Sequence, residues 1–199
     1  MKLLVLDTSS ICQAAVVEGD KVLSLAQVVS MKHHAEEIAN VASEALKEAR
    51  VNKPDAVLVG TGPGPFTGLR VGIAMGQAMA FAWDIPLYGL MSHYGFNAEG
   101  EFIVLSDARR KEVYWSHFNN SELVVGPQVA KRDTLPDLPT VGFENKPLYA
   151  NAGTLGLQAL ELIKNGKDLS DINPYYLREP DAKVPNLKKK VLGGRGKKP

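Results

Sequence analysis

A stretch of 13 residues without a charged side chain, from Val71 to Trp83, constrains this chain more than any other feature. Gln77 is its one strongly polar residue, and the stretch continues a helix that begins after a loop rich in Gly and Pro. A helix that is apolar all round must be covered on more than one side. The domain's own sheet can cover one face, so we expect another surface to cover the opposite face.

Small residues recur every four positions along this helix, at Gly72, Gly76 and Ala80. Residues at this spacing share one face, so they form a strip without bulky side chains that lets a second helix approach closely. Glycine costs about 1 kcal/mol relative to Ala inside a helix, which requires a packing reason. We interpret the strip as a subunit interface, with ordinary burial inside the domain as the alternative.

The order of the predicted elements indicates an α/β fold. Apolar runs and polar turns predict strands over 2–8, 13–17, 21–29, 56–59, 86–90, 102–106, 112–117 and 123–125. Helical periodicity predicts helices over 33–50, from the Gly/Pro loop to Trp83, and over 151–164. Strands and helices alternate early, and strands cluster again after residue 100. We therefore expect an α/β lobe over 1–100 and a smaller lobe over 101–182.

Charge is distributed unevenly along the chain. Seven of the 23 Lys and Arg residues lie within 183–199, which contains no acid, so the first 182 residues carry 16 cations against 22 acids. This pattern predicts a folded acidic body with a flexible basic tail at 183–199. Solubility is the simplest role for such a tail. Contact with phosphate backbones through Lys188, Lys189, Lys190 and Arg195 is the sharper alternative.

Cysteine usage and hydropathy exclude several classes of protein. The single Cys12 excludes an internal disulfide and a Cys-based zinc cluster, which fits a reducing cytosol. No segment approaches the roughly 20 apolar residues of a membrane helix, and the first apolar run is too short for a signal peptide. We therefore expect a soluble, cytoplasmic protein with no membrane segment.

The Gly/Pro loop over 60–68 lies between a strand and a helix, where phosphate-binding loops are found. Its details favour another use. A P-loop ends in Gly-Lys-Ser/Thr, whereas this loop continues into Leu69-Arg70. Pro63 and Pro65 also lack the backbone N–H groups that hold an anion. We favour a rigid loop that positions the following helix, with phosphate binding as the alternative.

His33-His34 and Glu36-Glu37 offer potential metal ligands at the start of the first helix. A helical zinc site of this kind needs two His residues four positions apart on one face. Adjacent residues point about 100° apart on a helix, so we expect no metal site here. The two acids instead suit the positive end of the helix dipole.

Two polar segments have positions that suit chemistry. Asp7-Thr8-Ser9-Ser10 follows the first strand, where nucleotide-binding folds place a catalytic carboxylate, but a polar strand-end cap explains it equally well. The turn Asp107-Ala-Arg-Arg-Lys111 brings three cations together. Solvated charge at a hairpin is the simpler explanation of that turn.

Four segments together resemble one family. They are the strand ending Leu6-Asp7-Thr8-Ser9, the segment Gly62-Pro-Gly-Pro-Phe-Thr-Gly-Leu-Arg-Val-Gly72, the turn Asp107-Ala-Arg-Arg-Lys-Glu-Val-Tyr114 and the late Pro174-Tyr-Tyr-Leu-Arg178. His34-Ala-Glu-Glu-Ile38 also resembles the start of the family's first helix. On these motifs, which run in order from residue 1 to about 182, the chain is similar to the bacterial TsaB (YeaZ) family.

The resemblance implies an α/β fold of the actin/Hsp70/sugar-kinase type (ASKHA), with two RNase-H-like lobes of which the second is reduced. It implies a non-catalytic subunit that pairs with the catalytic subunit TsaD to form threonylcarbamoyladenosine beside the tRNA anticodon. From the His spacing and the proline-interrupted loop we expect neither a metal nor a cofactor. The ATPase TsaE joins that assembly, TsaC supplies the threonylcarbamoyl-adenylate, and the isolated subunit forms a homodimer. The basic tail is a further candidate contact with tRNA.

In this family the early helices form the pairing surface, which agrees with the charge-free helix. The interface residues expected in this sequence are His34, Glu37, Ile38, Val41, Arg70, Gly72, Ile73, Gly76, Gln77 and Ala80. The chain departs from the family pattern at Pro65, where Ser is usual, in a shorter stretch between Ser92 and Phe102, and in its tail.

Two other classes of protein stay open. One is an enzyme, either a metallopeptidase of the glycoprotease kind, as family members were once classed, or an ATP-dependent transferase of the same superfamily. The absence of helical metal-ligand spacing opposes the first, and the proline-interrupted loop opposes the second. The other class is a stand-alone RNA-binding module, which rests on the tail alone.

Overall fold

Two β-sheets and three α-helices make up the part of the chain that the computed structural model describes, which is residues 1–29, 34–143 and 149–178. The strands of the first sheet are β1 (Lys2–Asp7), β2 (Cys12–Glu18), β3 (Lys21–Val28), β4 (Ala56–Gly60) and β5 (Leu87–Leu90). Their order in the sheet is β3-β2-β1-β4-β5. β1 pairs antiparallel with β2 and parallel with β4, which in turn pairs parallel with β5.

Helices cover both faces of this sheet. They are α1 (His34–Glu48), α2 (Phe66–Trp83) and α3 (Ala152–Lys164). Successive side chains of a strand point to opposite faces. Leu4 and Leu6 of β1 therefore belong to the core that contains α1 and α2 residues, and Leu3 and Val5 belong to the core that contains α3 residues. Burial on both faces explains why β1 is a continuous apolar run.

The second sheet follows the first along the chain. Its strands are β6 (Glu101–Asp107), β7 (Glu112–Asn119), β8 (Glu122–Lys131) and β9 (Thr140–Gly142), in the order β8-β7-β6-β9. The β6-β7-β8 pairs are antiparallel, and β9 joins β6 in parallel. Phe102 and Phe118 stack in its core with ring centroids 5.6 Å apart.

The boundary expected near residue 100 separates the two sheets, but α3 crosses back to the first sheet. Ala152, Leu155 and Ala159 are buried against residues of β1 and β2. Gly156 allows close contact, since an added Cβ would lie 2.7 Å from Cγ2 of Val5. The later half of the chain therefore builds the second sheet and also covers one face of the first.

The eight predicted strands and three predicted helices are confirmed, with β8 longer than expected. The strand β9 was not predicted, because three residues are too few to show an alternating pattern. Between the sheets, the stretch after β5 forms one short 3₁₀ turn, Ser92–Gly95. Among the described residues, no helix combines the length and the apolarity needed to cross a bilayer.

The last described segment, 165–178, has neither helix nor strand and contacts the edge strand β5 and the loop that precedes α2. The backbone N–H of Gly89 on β5 donates to the carbonyl of Leu169 at 2.8 Å. The N–H of Tyr175 donates to the carbonyl of Thr61 at 2.9 Å. These bonds fix the C-terminal segment against the loop that precedes α2.

Candidate partner interface and inter-sheet cleft

The helix α2 turns one side to the first sheet and the other side outward. Its buried residues are Gly68, Leu69, Gly72, Ile73, Gly76 and Ala80. The exposed residues of its last three turns, which we name the outer face, are Ala74, Gln77, Ala78, Phe81 and Ala82. Phe81 is 90% exposed, although burying a Phe side chain stabilises by about 1.5–3 kcal/mol. The outer face is therefore an uncovered apolar surface without charge.

The prediction that the small-residue strip faces a partner helix is wrong, because Gly72, Gly76 and Ala80 face the domain's own sheet. A Cβ added to Gly76 would lie 2.2 Å from Cγ1 of Val59 on β4. One added to Gly72 would lie 2.3 Å from Oγ1 of Thr8. The glycines allow α2 to approach the sheet closely. The strip is therefore buried inside the domain, which was the alternative interpretation.

The other predicted interface residues divide between the core and the surface. Those buried in the core, and so withdrawn from any partner, are Ile38, Val41 and Ile73. Arg70 and Gln77 are exposed on α2, and Glu37 of α1 is half-buried. The side chain of His34 lies outside the described part of the chain. The structure thus places Arg70, Gln77 and Glu37, among the predicted residues, where another protein can reach them.

Arg70 ties the first turn of α2 to the C-terminal segment. Its guanidinium carbon lies 3.8 Å from the ring centroid of Phe66, in a cation–π arrangement. Its Nε donates to the hydroxyl of Tyr176 at 2.8 Å. The rings of Phe66 and Tyr176 also contact each other, with centroids 4.6 Å apart. Arg70 therefore has a structural role in addition to its exposure.

A groove of about 700 Å³ lies beside the C-terminal ends of α1 and α2. Met79 and Trp83 of α2 line it with apolar surface. Lys47 of α1 and Arg50 just after it add positive charge. The groove and the outer face share the last turns of α2, so both can belong to one docking surface.

The carboxylate of Asp7 is buried at the end of β1 and is 1% exposed. One of its oxygens accepts hydrogen bonds from the backbone N–H of Ser9 at 3.0 Å and from the Ser9 hydroxyl at 2.7 Å. The other oxygen accepts from the hydroxyl of Ser92 at 2.5 Å. Both oxygens are thus used inside the protein. This geometry favours the strand-end cap over a catalytic carboxylate.

The Gly/Pro loop over 60–68 is fixed by its neighbours. The N–H of Gly62 donates to the hydroxyl of Ser92 at 3.1 Å, and Ser92 is itself bound to Asp7. Pro63 and Pro65 have no N–H to offer. The loop therefore lacks the row of free donors that an anion-binding loop needs, and it is suited to hold α2 in place.

A cleft of about 160 Å³ lies between this loop and the second sheet. Its lining includes the aromatic residues Phe96, Phe143 and Tyr149, together with His93 and Arg109. Binding sites for small molecules typically measure about 300–1,000 Å³. This cleft alone is below that range, and a second cleft of about 370 Å³ shares Gly64, Pro65, Asp107 and Arg109 with it.

His93 is buried at the edge of the cleft and is 1% exposed. Its Nδ1 lies 2.8 Å from the hydroxyl of Ser116, and its Nε2 lies 2.9 Å from that of Ser106. Burial lowers the pKa of His93 to about 3, so the ring is neutral at physiological pH. Both nitrogens are hydrogen-bonded inside the protein, so His93 ties the turn after β5 to β6 and β7 and has no nitrogen left to act as a base.

Within the described ranges, no group of three or more His, Cys, Asp or Glu side chains is placed to hold a metal ion. His33 and the side chain of His34 lie outside those ranges, so the absence of a metal site there stays a prediction. Lys188, Lys189, Lys190 and Arg195 also lie outside them, and their role in tRNA contact stays a prediction.

Sequence reasoning missed Phe81, Ser92 and His93. The sequence contained a signal that Phe81 is exposed. Gln77 follows Arg70 by seven residues and Phe81 follows Gln77 by four, so the three share one face of the helix. The two polar residues on that face mark it as the outward one. No local pattern could join Ser92 to Asp7, which precedes it by 85 residues.

Comparison with known proteins gives consistent matches. A family model described as TsaD, tRNA N6-adenosine threonylcarbamoyltransferase, matches residues 27–172. An uncharacterized protein of Mycobacterium tuberculosis is 37% identical over 183 residues, covering 84% of this chain and 83% of that protein. The tRNA threonylcarbamoyladenosine biosynthesis protein TsaB of Escherichia coli is 28% identical over 131 residues, covering 61% of this chain and 57% of that protein. The solved structure of YeaZ from Pseudomonas aeruginosa matches with a TM-score of 0.74 at 25% identity, covering 88% of this chain and 100% of that one.

Proposed function

This chain belongs to the TsaB (YeaZ) family, and from that premise we propose that it is a non-catalytic subunit that pairs with a TsaD-like catalytic protein. Membership confirms the expected ASKHA-type fold and supports a role in tRNA threonylcarbamoyladenosine biosynthesis. In the proposed assembly the partner transfers the threonylcarbamoyl group to the tRNA adenosine beside the anticodon, and this chain holds the partner in its active arrangement.

The observation that carries the proposal is the outer face of α2. Phe81 is 90% exposed, and no charged residue occurs from Val71 to Trp83. Exposed apolar surface of this kind marks sites of protein–protein contact, where aromatic side chains supply much of the binding energy. Gln77 belongs to this outer face, and the exposed Arg70 lies on the same side of the helix two turns nearer its start.

The polar groups between the lobes support a subunit without its own active site. The carboxylate of Asp7 and the ring of His93 are both buried and hydrogen-bonded within the protein. A general base must reach the proton that it abstracts, which neither group can do in this arrangement. The two prolines of the Gly/Pro loop, which lack N–H donors, oppose the alternative of an ATP-dependent transferase.

Further partners follow from the same proposal. When the chain is isolated, we expect a homodimer through the outer face, because a second copy offers the same apolar cover. A TsaE-like ATPase would join the assembly in the cytoplasm. tRNA would reach the complex through the catalytic subunit and through the basic tail.

The test is a charged substitution in the centre of the outer face. We expect Phe81→Glu to reduce affinity for a TsaD-like partner by more than a hundredfold. A buried, uncompensated charge costs about 3–5 kcal/mol, and about 1.4 kcal/mol corresponds to a tenfold change. Since Phe81 is 90% exposed in the single chain, its replacement should leave the monomer folded. Isothermal titration calorimetry measures the affinity, and circular dichroism checks the fold.

Val124→Glu is the matched control, because Val124 is an exposed apolar residue on β8 of the second sheet, 51% exposed. The control should pair normally. If Phe81→Glu pairs as tightly as the control, the outer face of α2 is not the docking surface. If the unaltered chain fails to bind any TsaD-like protein, the proposed function is itself contradicted.

A further inference from the structure

The first sheet ends in a strand whose outer edge is open. β3 bonds to β2 along one edge, and none of the described residues pairs with its other edge. The pairing with β2 is regular from Ser24 to Val28, because the irregularity of the ladder precedes this stretch. The stretch contains no Pro, no Gly and no charged side chain. Alternate residues of it therefore present free N–H and C=O groups to any strand that lies alongside.

The edges formed by β5, β8 and β9 are protected, which sets β3 apart. At β5, the N–H of Gly89 donates to the carbonyl of Leu169, so the C-terminal segment covers this edge. The strand β8 contains Pro127, which has no N–H, and it begins with Glu122 and ends with Lys131. The strand β9 has only 3 residues. Proteins use such devices to prevent pairing with other chains, so an uncharged and uncovered edge indicates a strand partner.

The helix α1 lies above β2 and β3 and borders the open edge. The hydroxyl of Ser24 on β3 donates to the carbonyl of Ala45 in α1 at 2.7 Å. On the side toward α2, which packs on β4, Ser43 and Leu46 of α1 line the groove that Met79 also lines. Since β3 and β4 lie on opposite sides of β2 and β1 in the sheet, the other side of α1 points past β3.

Acidic residues line that other side of α1. Glu44 follows Glu37 by seven residues and Glu48 follows Glu44 by four, so the three share one side of the helix. At 100° per residue, they lie about 160–180° around the helix from Leu46, which faces the groove. Glu44 and Glu48 are exposed, and Glu37 is half-buried. An extended segment at the open edge of β3 would therefore run alongside three carboxylates.

The opposite face of the open edge is apolar in part. Leu25 packs against the core that contains α3 residues, and Gln27, two positions later, is exposed on the same face. Val22 is 43% exposed and lies beside Gly153 of α3. Successive side chains of an added strand would thus face carboxylates and apolar surface in turn.

A second copy of β3 fits this edge less well than a basic segment does. Antiparallel pairing of two copies would place their α1 helices about two strand spacings apart, which is roughly 10 Å. The sides that carry Glu37, Glu44 and Glu48 would then face each other, and like charges at this distance repel. Charge complementarity therefore favours a segment that carries Lys or Arg.

We propose that the open edge of β3 binds an extended segment of another protein in which basic and apolar residues alternate. Its backbone pairs with Ser24–Val28, its basic side chains face Glu44 and Glu48, and its apolar side chains face Leu25. When a peptide adds a strand to a sheet, main-chain hydrogen bonds give affinity and alternate side chains give specificity. The inference goes beyond the proposed function and does not depend on it, because this edge and α2 lie on opposite sides of α1.

The probe is a synthetic peptide of alternating Lys and Val with blocked ends and the length of β3, which is 8 residues. Isothermal titration calorimetry with the full-length chain at low salt should give a dissociation constant below about 1 mM. The control peptide has the same composition with the Lys residues grouped at one end, and it should bind about tenfold more weakly. Equal binding of the two peptides, or no binding of the alternating peptide at about 1 mM, overturns the proposal.

Hydrogen exchange followed by mass spectrometry locates the contact. The alternating peptide should slow exchange of the amides within Ser24–Val28, because alternate N–H groups of this stretch become hydrogen-bonded. The amides of β8, the edge strand of the second sheet, should exchange at an unchanged rate. Binding without slower exchange in β3 would mean that the peptide attaches to α1 by charge alone, which contradicts strand addition.

Glu44→Gln combined with Glu48→Gln tests the role of the carboxylates. Both residues are exposed, so the variant should remain folded. Its affinity for the alternating peptide should fall by about fivefold, the effect expected from the loss of two exposed ion pairs. The matched control is Glu99→Gln with Glu122→Gln, which removes the same charge from two exposed residues beside the second sheet. Equal losses in the two variants would show that net charge alone attracts the peptide, and the proposal would be wrong.

Sedimentation of the Phe81→Glu variant tests a second copy as the occupant. Because this variant removes the outer-face dimer expected above, it should be monomeric. The proposal is overturned in favour of a second copy if the variant still dimerises, if adding Gln27→Lys dissociates it, and if adding Gln128→Lys does not. Gln128 is the matched position, because it is an exposed Gln on the edge strand β8. The affinity of Phe81→Glu for the TsaD-like partner tests the proposed function separately.

Discussion

Replacing Gly76 with Ala tests which side of α2 packs on the sheet. A Cβ at this position would lie 2.2 Å from Cγ1 of Val59 and 3.4 Å from Cδ1 of Leu87. Real Cβ atoms do not approach other heavy atoms closer than 3.0 Å, so the helix or the strand must move. Val59 is a β-branched residue on a buried strand, so its side chain has few other rotamers to adopt.

The expected magnitude is a difference between two effects. Overpacking a core with one methyl group costs about 1–3 kcal/mol, and the stiffness of Val59 places this case toward the upper end. Replacing Gly with Ala inside a helix gains about 1 kcal/mol. The net loss in free energy of unfolding is therefore about 1–2 kcal/mol. In a chain of this size, that corresponds to a decrease in Tm of roughly 2–8 °C.

Urea unfolding followed by circular dichroism measures this loss directly, and a thermal scan gives the change in Tm. Ala78→Gly on the exposed side of the same helix is the control. It should lose about 1 kcal/mol through helix propensity alone. Gly76→Arg places a much larger side chain at the same position. It should prevent folding, because no rotamer of Arg fits between the helix and β4.

A stabilised Gly76→Ala variant would refute the reasoning. A gain of about 1 kcal/mol is what Ala gives at an exposed helical position, where it meets no other atom. That result would mean that the strip of Gly72, Gly76 and Ala80 faces outward after all. The outer face with Phe81 would then be the buried side, and the docking surface would have to be assigned again.

Two further predictions concern residues beside the cleft between the two sheets. The pKa of His93 is about 3 in the folded protein, below its usual 6.5, so protonation favours unfolding and stability is lost as the pH falls below about 6.5. The unaltered chain should therefore lose more unfolding free energy between about pH 7 and pH 5 than the His93→Gln variant, by about 2 kcal/mol. Urea titration at the two pH values measures both losses. Equal losses would show that another group causes the sensitivity to acid. Calorimetric titration of the isolated chain with ATP should show no binding tighter than about 1 mM, because Pro63 and Pro65 lack the N–H groups that hold an anion. A micromolar dissociation constant would restore the ATP-dependent alternative.

The secondary structure could be predicted from the sequence because its signals are local. The apolar run of β1, the period of α1 and the Gly/Pro loop before α2 each extend over a few consecutive residues. The motifs Gly62–Gly72 and Asp107–Tyr114 also identified the family, and with it the ASKHA fold. Patterns of this kind depend on backbone geometry and on hydrophobic periodicity, which neighbours in the sequence determine.

The sequence by itself determined that α2 is a helix without charge that needs cover on two sides. It gave two conflicting signals for how this helix is rotated, because Arg70 and Gln77 mark one side as outward while the strip of Gly72, Gly76 and Ala80 suggested a partner on another. The tertiary structure decided the rotation, since Gly72 and Gly76 fit against Thr8 and Val59 where larger residues do not. Phe81 is left exposed as a consequence.

The fold also decided which distant residues meet. Arg109 contacts Arg178 across 69 positions, and Asp7 bonds to Ser92 across 85. Strand pairing and the return of the C-terminal segment produce these contacts, and no local spacing encodes them. The elements and the family were therefore readable from the sequence, whereas the buried side of α2 and the grouping of cations at the β6–β7 turn depend on packing in three dimensions.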